Sequence, residues 1–249
     1  MLQYVIESDT GRKREINEDR VAVHKRPDGL LLVLVADGMG GHNAGDVASR
    51  MTVDELGVRF MDADSEQFRS TDEKTAWLSE QVLQVNRAVY EHSITHRECK
   101  GMGTTLIAAL IEGEDCVLCH IGDSRAYMIG ESMTQVTRDH SYVNVLVDNG
   151  EITQEQAEDH PKKNWILRSL GTEPDIEREM HHFSLAGISY FLICTDGLSN
   201  KLSERDISSI VRSKASLSQK GKAMVALAND LGGEDNISFV LLTALGEEV

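Results

Sequence analysis

The chain has 249 residues, of which 41% are hydrophobic and 27% charged, enough to bury a sizeable core in one large domain. Lys and Arg number 25 against 41 Asp and Glu, for a net charge of −16; a surface this acidic repels polyanions and argues against nucleic acid or an anionic membrane as partner. No apolar run is long enough to span a bilayer, and the opening residues MLQYVIESDTGRKRE lack a basic start followed by an apolar core, so a cytoplasmic protein is expected.

The first strand-like run is LLLVLVA, residues 30–36, and it is followed at once by Asp37 and Gly38. Helices are predicted over 44–60 and, more clearly, over 72–95, where Leu78, Val82, Val85 and Val89 step by three and four residues. Strands follow at 105–111 (TLIAALI), 115–121 (DCVLCHI) and 124–129. The short turns between them predict a meander of antiparallel neighbours. The stretch 140–165 is polar and amphipathic, and reads as a surface insert of one or two short helices. A strand is expected at 190–195 (YFLICT). A helix opened by Ser203 with Asp206 three residues on has a capping-box start. A last helix over about 216–231 ends at Gly232-Gly233, suited to a left-handed cap, before a strand at 237–243 (ISFVLLT).

Four cysteines are present, and Cys116 and Cys119 form a C-x-x-C, a spacing used by zinc and redox sites. Here it lies in a strand, where residues three apart point to opposite faces. The two thiols are therefore expected to be small core hydrophobes.

Acids recur where buried runs stop. Asp37 follows LVLVA, Asp123 follows CHIG, Asp196 follows FLICT, and Asp235 follows the GGE turn before the last strand. One such acid is explained by a turn hydrogen bond. Four together repel one another, and burial raises that cost. A divalent cation relieves it, and an all-oxygen set favours Mg²⁺ or Mn²⁺ over zinc. A glycine beside Asp37 lets the Gly38 carbonyl turn to the same ion. Near the N-terminus Arg14 precedes Asn17, Glu18 and Asp19. This is either a surface ion pair or a phosphate-binding arginine beside an acid that orients metal-bound water.

Seven blocks occur in a fixed order: R-x-x-N-E-D (14–19), DGMGGH-x-x-G (37–45), G-x-G-T-T (101–105), GDSR (122–125), T-x-D-H-S (137–141), TDGL (195–198) and GGEDNIS (232–238). With them the chain resembles the metal-dependent serine/threonine protein phosphatases of type 2C, in their compact bacterial form, from about residue 4 to 243. The resemblance implies an α+β fold: a central antiparallel β-sandwich of two sheets flanked by helices on both sides, with 140–165 as a small helical flap in a single catalytic domain, 1–249. It implies that Asp37 bridges two Mn²⁺ or Mg²⁺ ions, with the Gly38 carbonyl on one of them. Asp196 and Asp235 would hold the other, and Glu18 would act through water. Asp123 would serve a third, weaker ion together with Asp196. Arg14 would bind the substrate phosphate and Asn236 would support the site. The implied reaction is in-line attack of a hydroxide bridging the two ions on phosphoserine or phosphothreonine, without a phosphoenzyme. The implied partners are phosphorylated proteins and a cognate Ser/Thr kinase whose action the enzyme opposes in bacterial signalling. A monomer is expected.

One position departs from the animal members, which carry histidine after D-G; here it is Met39. His42 lies three residues on and is either a proton donor or a residue that structures the glycine turn. Aspartyl-phosphate phosphatases need D-x-D, and Met39 and Leu198 occupy those places. No P-loop motif is present. A non-catalytic relative would have lost its metal ligands, whereas all four aspartates are retained.

Overall fold

The computed structural model describes residues 2–41 and 44–244, and strand β3, Leu31–Met39, runs through its centre. Leu32, Leu34 and Ala36 pack with side chains of helices α1 (Ala44–Asp62) and α2 (Thr71–Thr95). Leu31, Val33 and Val35 face a second sheet. A strand covered on both sides has no polar face to alternate with, which is why its sequence reads as one apolar run.

One sheet has the order β2 (Asp19–Lys25), β3, β5 (Leu106–Glu112), β6 (Asp115–Ile121), β9 (Glu179–Ser184), and the two-residue β4 (Gly103–Thr104) pairs the end of β3. The other has the order β1 (Leu2–Asp9), β11 (Ile237–Ala244), β10 (Tyr190–Cys194), β7 (Arg125–Ile129), β8 (Met133–Gln135). Every pairing is antiparallel. Helices α6 (Glu204–Val211) and α7 (Leu217–Asp230) cover the second sheet, where Ile207, Val211 and Met224 meet Leu192, Phe239 and Leu241. The expected α+β sandwich with helices on both outer faces is present. The capping box at Ser203 and Asp206 forms, and α7 closes through positive-φ Gly232 and Gly233, with the Gly233 N–H donating to the Ala228 carbonyl at 3.1 Å.

Two expectations need correction. The runs 115–121 and 124–129 are not neighbours in a meander: β6 lies in one sheet and β7 in the other, paired with β10 and β8. Gly122, at φ +106°, allows the chain to cross between sheets there. Asp37 does not end its strand either, because Gly38 and Met39 continue β3 against β4. The C-x-x-C is split as expected, with Cys116 in the core between the sheets and Cys119 in the core under the helices.

The insert is two short helices, α3 (Tyr142–Asp148) and α4 (Gln154–Glu158). Its ends are tied together by the Tyr142 N–H to the Trp165 carbonyl and the Leu167 N–H to the His140 carbonyl, both at 2.8 Å. It borders a cleft of about 1120 Å³ at one end of the sandwich, whose lining includes Asp123, Asn144, Asp196 and Asp235.

Candidate active site

Both sheets deliver carboxylates to this end of the sandwich, and Asp123, Asp196 and Asp235 line the cleft itself. Asp37 comes from β3, and Asp19, its direct partner in register, from the start of β2. Asp123 sits in the turn that crosses between the sheets. Asp196 opens the short helix α5 (Asp196–Ser199) after β10, and Asp235 precedes β11. The Asp37 carboxyl feels Asp19, Asp196, Asp123 and Asp235 together.

The motif residues around these acids work as braces. Thr105 accepts from the Asp37 N–H through its hydroxyl at 2.9 Å, donates its own N–H to the Asp37 carbonyl at 2.9 Å, and meets the Ser124 hydroxyl at 2.7 Å. The Thr195 hydroxyl donates to Asp19 at 2.9 Å and accepts from the Ser238 N–H. Asn236 accepts from the Glu18 N–H at 2.8 Å and donates to the Thr10 and Ile16 carbonyls, both at 2.9 Å. Arg125 forks onto Asp139, with Nε at 2.9 Å from Oδ1 and Nη2 at 2.7 Å from Oδ2, and so fastens the 137–141 loop beside Asp123.

Two glycines are required by space. A Cβ on Gly38 would stand 2.1 Å from the Gly45 carbonyl oxygen, so β3 and the start of α1 touch through bare backbone. A Cβ on Gly197 would stand 1.9 Å from the Asn236 carbonyl oxygen. That contact brings Asp196 and Asp235 to one place.

The electrostatics follow from crowding. Burial, reinforced by Asp19 and Asp196, holds the Asp37 carboxyl well above the usual carboxylate range. Asp19, only 1% exposed, is pushed up to about 7 by burial against the pull of its hydrogen bonds from Ser238 and Thr195. Burial and then Asp196 push Asp123 up to about 8. Burial and then Asp235 push Asp196 up to about 6. Burial also raises Glu18, although Arg14 and the backbone amides of Gly45 and Asp46 favour its charge. Arg14 reaches the rim, with Nη2 3.0 Å from Asp235 and Nη1 4.0 Å from Glu18. Burial opposes its charge, but Asp235, Glu18 and Asp37 outweigh that and raise its pKa.

This donor set fits hard divalent cations. Glu18 Oε1 and Asp123 Oδ1 are buried without a hydrogen-bond partner. Arg125 is already committed to Asp139, which leaves Arg14 at the edge against at least five acids. Buried carboxylates without compensation are costly, and Mg²⁺ or Mn²⁺ supplies it through oxygen ligands. Asp19 escaped the reading from sequence, because the short alternating stretch DRVAVHK that it opens carries too many polar groups to stand out as a strand. His42 lies outside the described residues.

A sequence profile of the protein phosphatase 2C family matches residues 10–232. The chain belongs to the protein phosphatase 2C family. It is 39% identical over 236 residues to the serine/threonine phosphatase stp of Listeria welshimeri, covering 94% of this chain and 93% of that protein. Protein phosphatase PhpP of Streptococcus pneumoniae is also 39% identical, over 97% of this chain and 96% of its own. Among solved structures, serine/threonine phosphatase Stp1 from Staphylococcus aureus superposes with a TM-score of 0.93 at 34% identity, covering 99% of this chain and 96% of that one. The catalytic domain of phosphatase PstP, solved in complex with two manganese ions, superposes at 0.82 with 33% identity and 97% coverage of both chains. Like the family, this chain is a metal-dependent protein-serine/threonine phosphatase, and its substrates are phosphoproteins. Among the described residues no helix is long and apolar enough to cross a membrane.

Proposed function

We propose that Asp37 and the Gly38 carbonyl, with Asp196 and Asp235, hold a pair of Mn²⁺ or Mg²⁺ ions, that Asp123 with Asp196 holds a third more weakly, and that Glu18 orients a metal-bound water. The observation that carries this reading is the convergence of these carboxylates, where burial and mutual repulsion raise Asp37, Asp123 and Asp196, with Arg14 paired to Asp235 at the rim. Bound divalent ions supply an activated water near neutral pH and Lewis-acid stabilisation of the phosphoryl oxygens.

The rest of the work belongs to the chain. Arg14 is held at the cleft rim by Asp235 and Glu18. Its planar fork reaches two oxygens of an incoming phosphate and fixes the phosphorus for in-line displacement. Asp19 lies directly opposite Asp37 in the β2–β3 register and is held there by the Thr195 hydroxyl, adding negative charge next to the ion ligands. The wide cleft between α5 and the flap admits a protein segment, consistent with phosphorylated proteins as substrates.

The chain acts as one catalytic domain, as a monomer in the cytoplasm, and opposes a Ser/Thr kinase of the same cell. The likeness to stp and PhpP over more than nine-tenths of each chain supports the single catalytic domain. The test is hydrolysis of a phosphothreonine peptide with manganese, magnesium or chelator. Activity is expected with either ion and absent with chelator, and Asp37→Asn should abolish it. Equal activity in Asp37→Asn would overturn the ligand assignment.

A further inference from the structure

A second cluster of ligating side chains lies on β6 and β9, ahead of the turn that carries Asp123 and outside the lining of the cleft. His120 is directly opposite Glu179 in the β6–β9 register, and His181 is two residues further along β9 on the same face. One ligand atom from each of His120, Glu179 and His181 falls within 4.8 Å of the others. His120 is fully buried, and neither of its ring nitrogens makes a hydrogen bond of good geometry, with only the Gly122 and Ser124 backbone near enough to act on the ring. Buried polar groups are nearly always paired, so an imidazole with two unpaired nitrogens calls for an explanation. His181 Nε2 is likewise buried and without a hydrogen-bond partner, 3.6 Å from Glu179 Oε2.

The surroundings prepare the carboxylate. His140 Nδ1 accepts from the Gly122 N–H at 3.0 Å, so its proton sits on Nε2, which faces Glu179 Oε1 at 3.2 Å. Arg168 stands 3.9 Å from that same oxygen, with its other amino group on Glu177 at 2.6 Å. His140 and Arg168 thus lie on the Oε1 side of Glu179, and His181 on the Oε2 side. Burial, with His140 and His181, pushes His120 down to about 3, which keeps its imidazole in the neutral form that binds metal.

We propose that His120, His181 and Glu179 form a transition-metal site for Zn²⁺, separate from the oxygen-rich catalytic cluster. Two imidazoles and one carboxylate suit zinc better than magnesium. Ligands on one tetrahedral zinc, at about 2.0–2.1 Å from it, stand closer together than the present limit of 4.8 Å, and side-chain rotation closes that gap. His140 orients Glu179 from outside the ligand set, in the manner of residues that position metal ligands. An ion here joins β6 to the edge strand β9 and, through His140, to the first residue of the flap.

The test is zinc binding to the full chain by equilibrium dialysis, with magnesium in excess to occupy the carboxylate cluster. Wild type should retain one zinc ion more per chain than His181→Ala. The same difference should persist between Asp37→Asn and the Asp37→Asn/His181→Ala double variant, because the two sites are independent. His181 is part-exposed on an edge strand, and circular dichroism with thermal unfolding in magnesium checks its fold; His181→Gln serves as a second variant of similar bulk. Cobalt in place of zinc should give wild type visible bands of an imidazole-ligated tetrahedral centre, lost in both His181 variants. Equal zinc content in wild type and a folded His181 variant, or no cobalt bands in wild type, overturns the proposal.

Discussion

Replacing Asp37 by Asn should stabilise the protein when metal is withheld and destabilise it when metal is supplied. The carboxyls of Asp196, Asp19 and Asp123 are raised to about 6, 7 and 8, and that of Asp37 is raised well above 3.8. A carboxyl whose folded pKa exceeds its unfolded one gives stability that is fully present below the unfolded value. That stability is gone once pH has passed the folded value. Without ions the wild type should therefore weaken as pH climbs from about 4 to about 8. Asp196 is the mildest of the three, and two pKa units correspond to about 3 kcal/mol. Water entering the open cleft screens part of this, leaving about 1–2 kcal/mol to be recovered by the neutral, isosteric Asn. For a chain of this length that is roughly 2–8 °C in Tm. Thermal unfolding in chelator should show Asp37→Asn above wild type at about pH 8 and level with it at about pH 4, where protonated Asp and Asn are equivalent. In excess Mn²⁺ the order should invert, because wild type gains about 2.7 kcal/mol when the ion is at a hundred times its Kd. An Asp37→Asn protein that melts below wild type in chelator at pH 8 would refute the claim that carboxylate repulsion is stored in the site.

Arg14→Ala should lower kcat/KM on a phosphopeptide roughly ten- to a hundredfold, the worth of a charge-assisted contact of about 1.5–3 kcal/mol, while metal binding tightens because a cation 3.0 Å from Asp235 is gone; steady-state kinetics and manganese titration check both halves. Gly38→Ala places a Cβ 2.1 Å from the Gly45 carbonyl and should leave no soluble active enzyme, which expression and a peptide assay would show. Asp139→Asn removes the charge that pairs with the Arg125 guanidinium, which now makes three hydrogen bonds to it at 2.7–3.1 Å, and should cost about 3 kcal/mol in urea unfolding. Burial pushes the Cys119 and Cys194 thiols up to about 12, so neither should label with a thiol reagent until the protein unfolds.

The six strands legible in the sequence, β3, β5, β6, β7, β10 and β11, are the six interior strands of the two sheets. The four at the edges, β1, β2, β8 and β9, were invisible as strands. An interior strand here is buried on both faces and reads as an unbroken apolar run, whereas EMHHFS in β9 or LQYVIESD in β1 keeps polar side chains toward water. The same physics hid Asp19: its strand, DRVAVHK, alternates and carries three charged groups besides a histidine, so nothing marked its first residue as lying opposite Asp37. The crossover at Gly122 was misread for a related reason. A tight turn between two apolar runs looks like a hairpin, and only a positive φ, which any glycine permits, separates that case from a change of sheet.

The crossover also explains why the acids meet. In a meander the 122–124 turn would have stayed on one sheet, whereas here Arg125 pairs with Cys194 and so sets Asp123 beside Asp196 on the neighbouring strand. By passing from β6 to β7 the chain sets Asp123 at the seam between the sheets, where Asp37 arrives from one side and Asp196 and Asp235 from the other. With the proposed ligand set, a pair of cations would tie the two sheets at the end where their own packing is interrupted by charge. Threonines occupy the corresponding backbone positions: Thr105 braces Asp37 to the seam through Ser124, and Thr195 braces Asp19 to β11. These neutral hydrogen bonds hold the carboxylates in place without cancelling their charge, because a lysine or arginine in their stead would lower the repulsion and with it the affinity for the ion. The cluster is kept destabilised in the metal-free chain so that the free energy of ion binding is large.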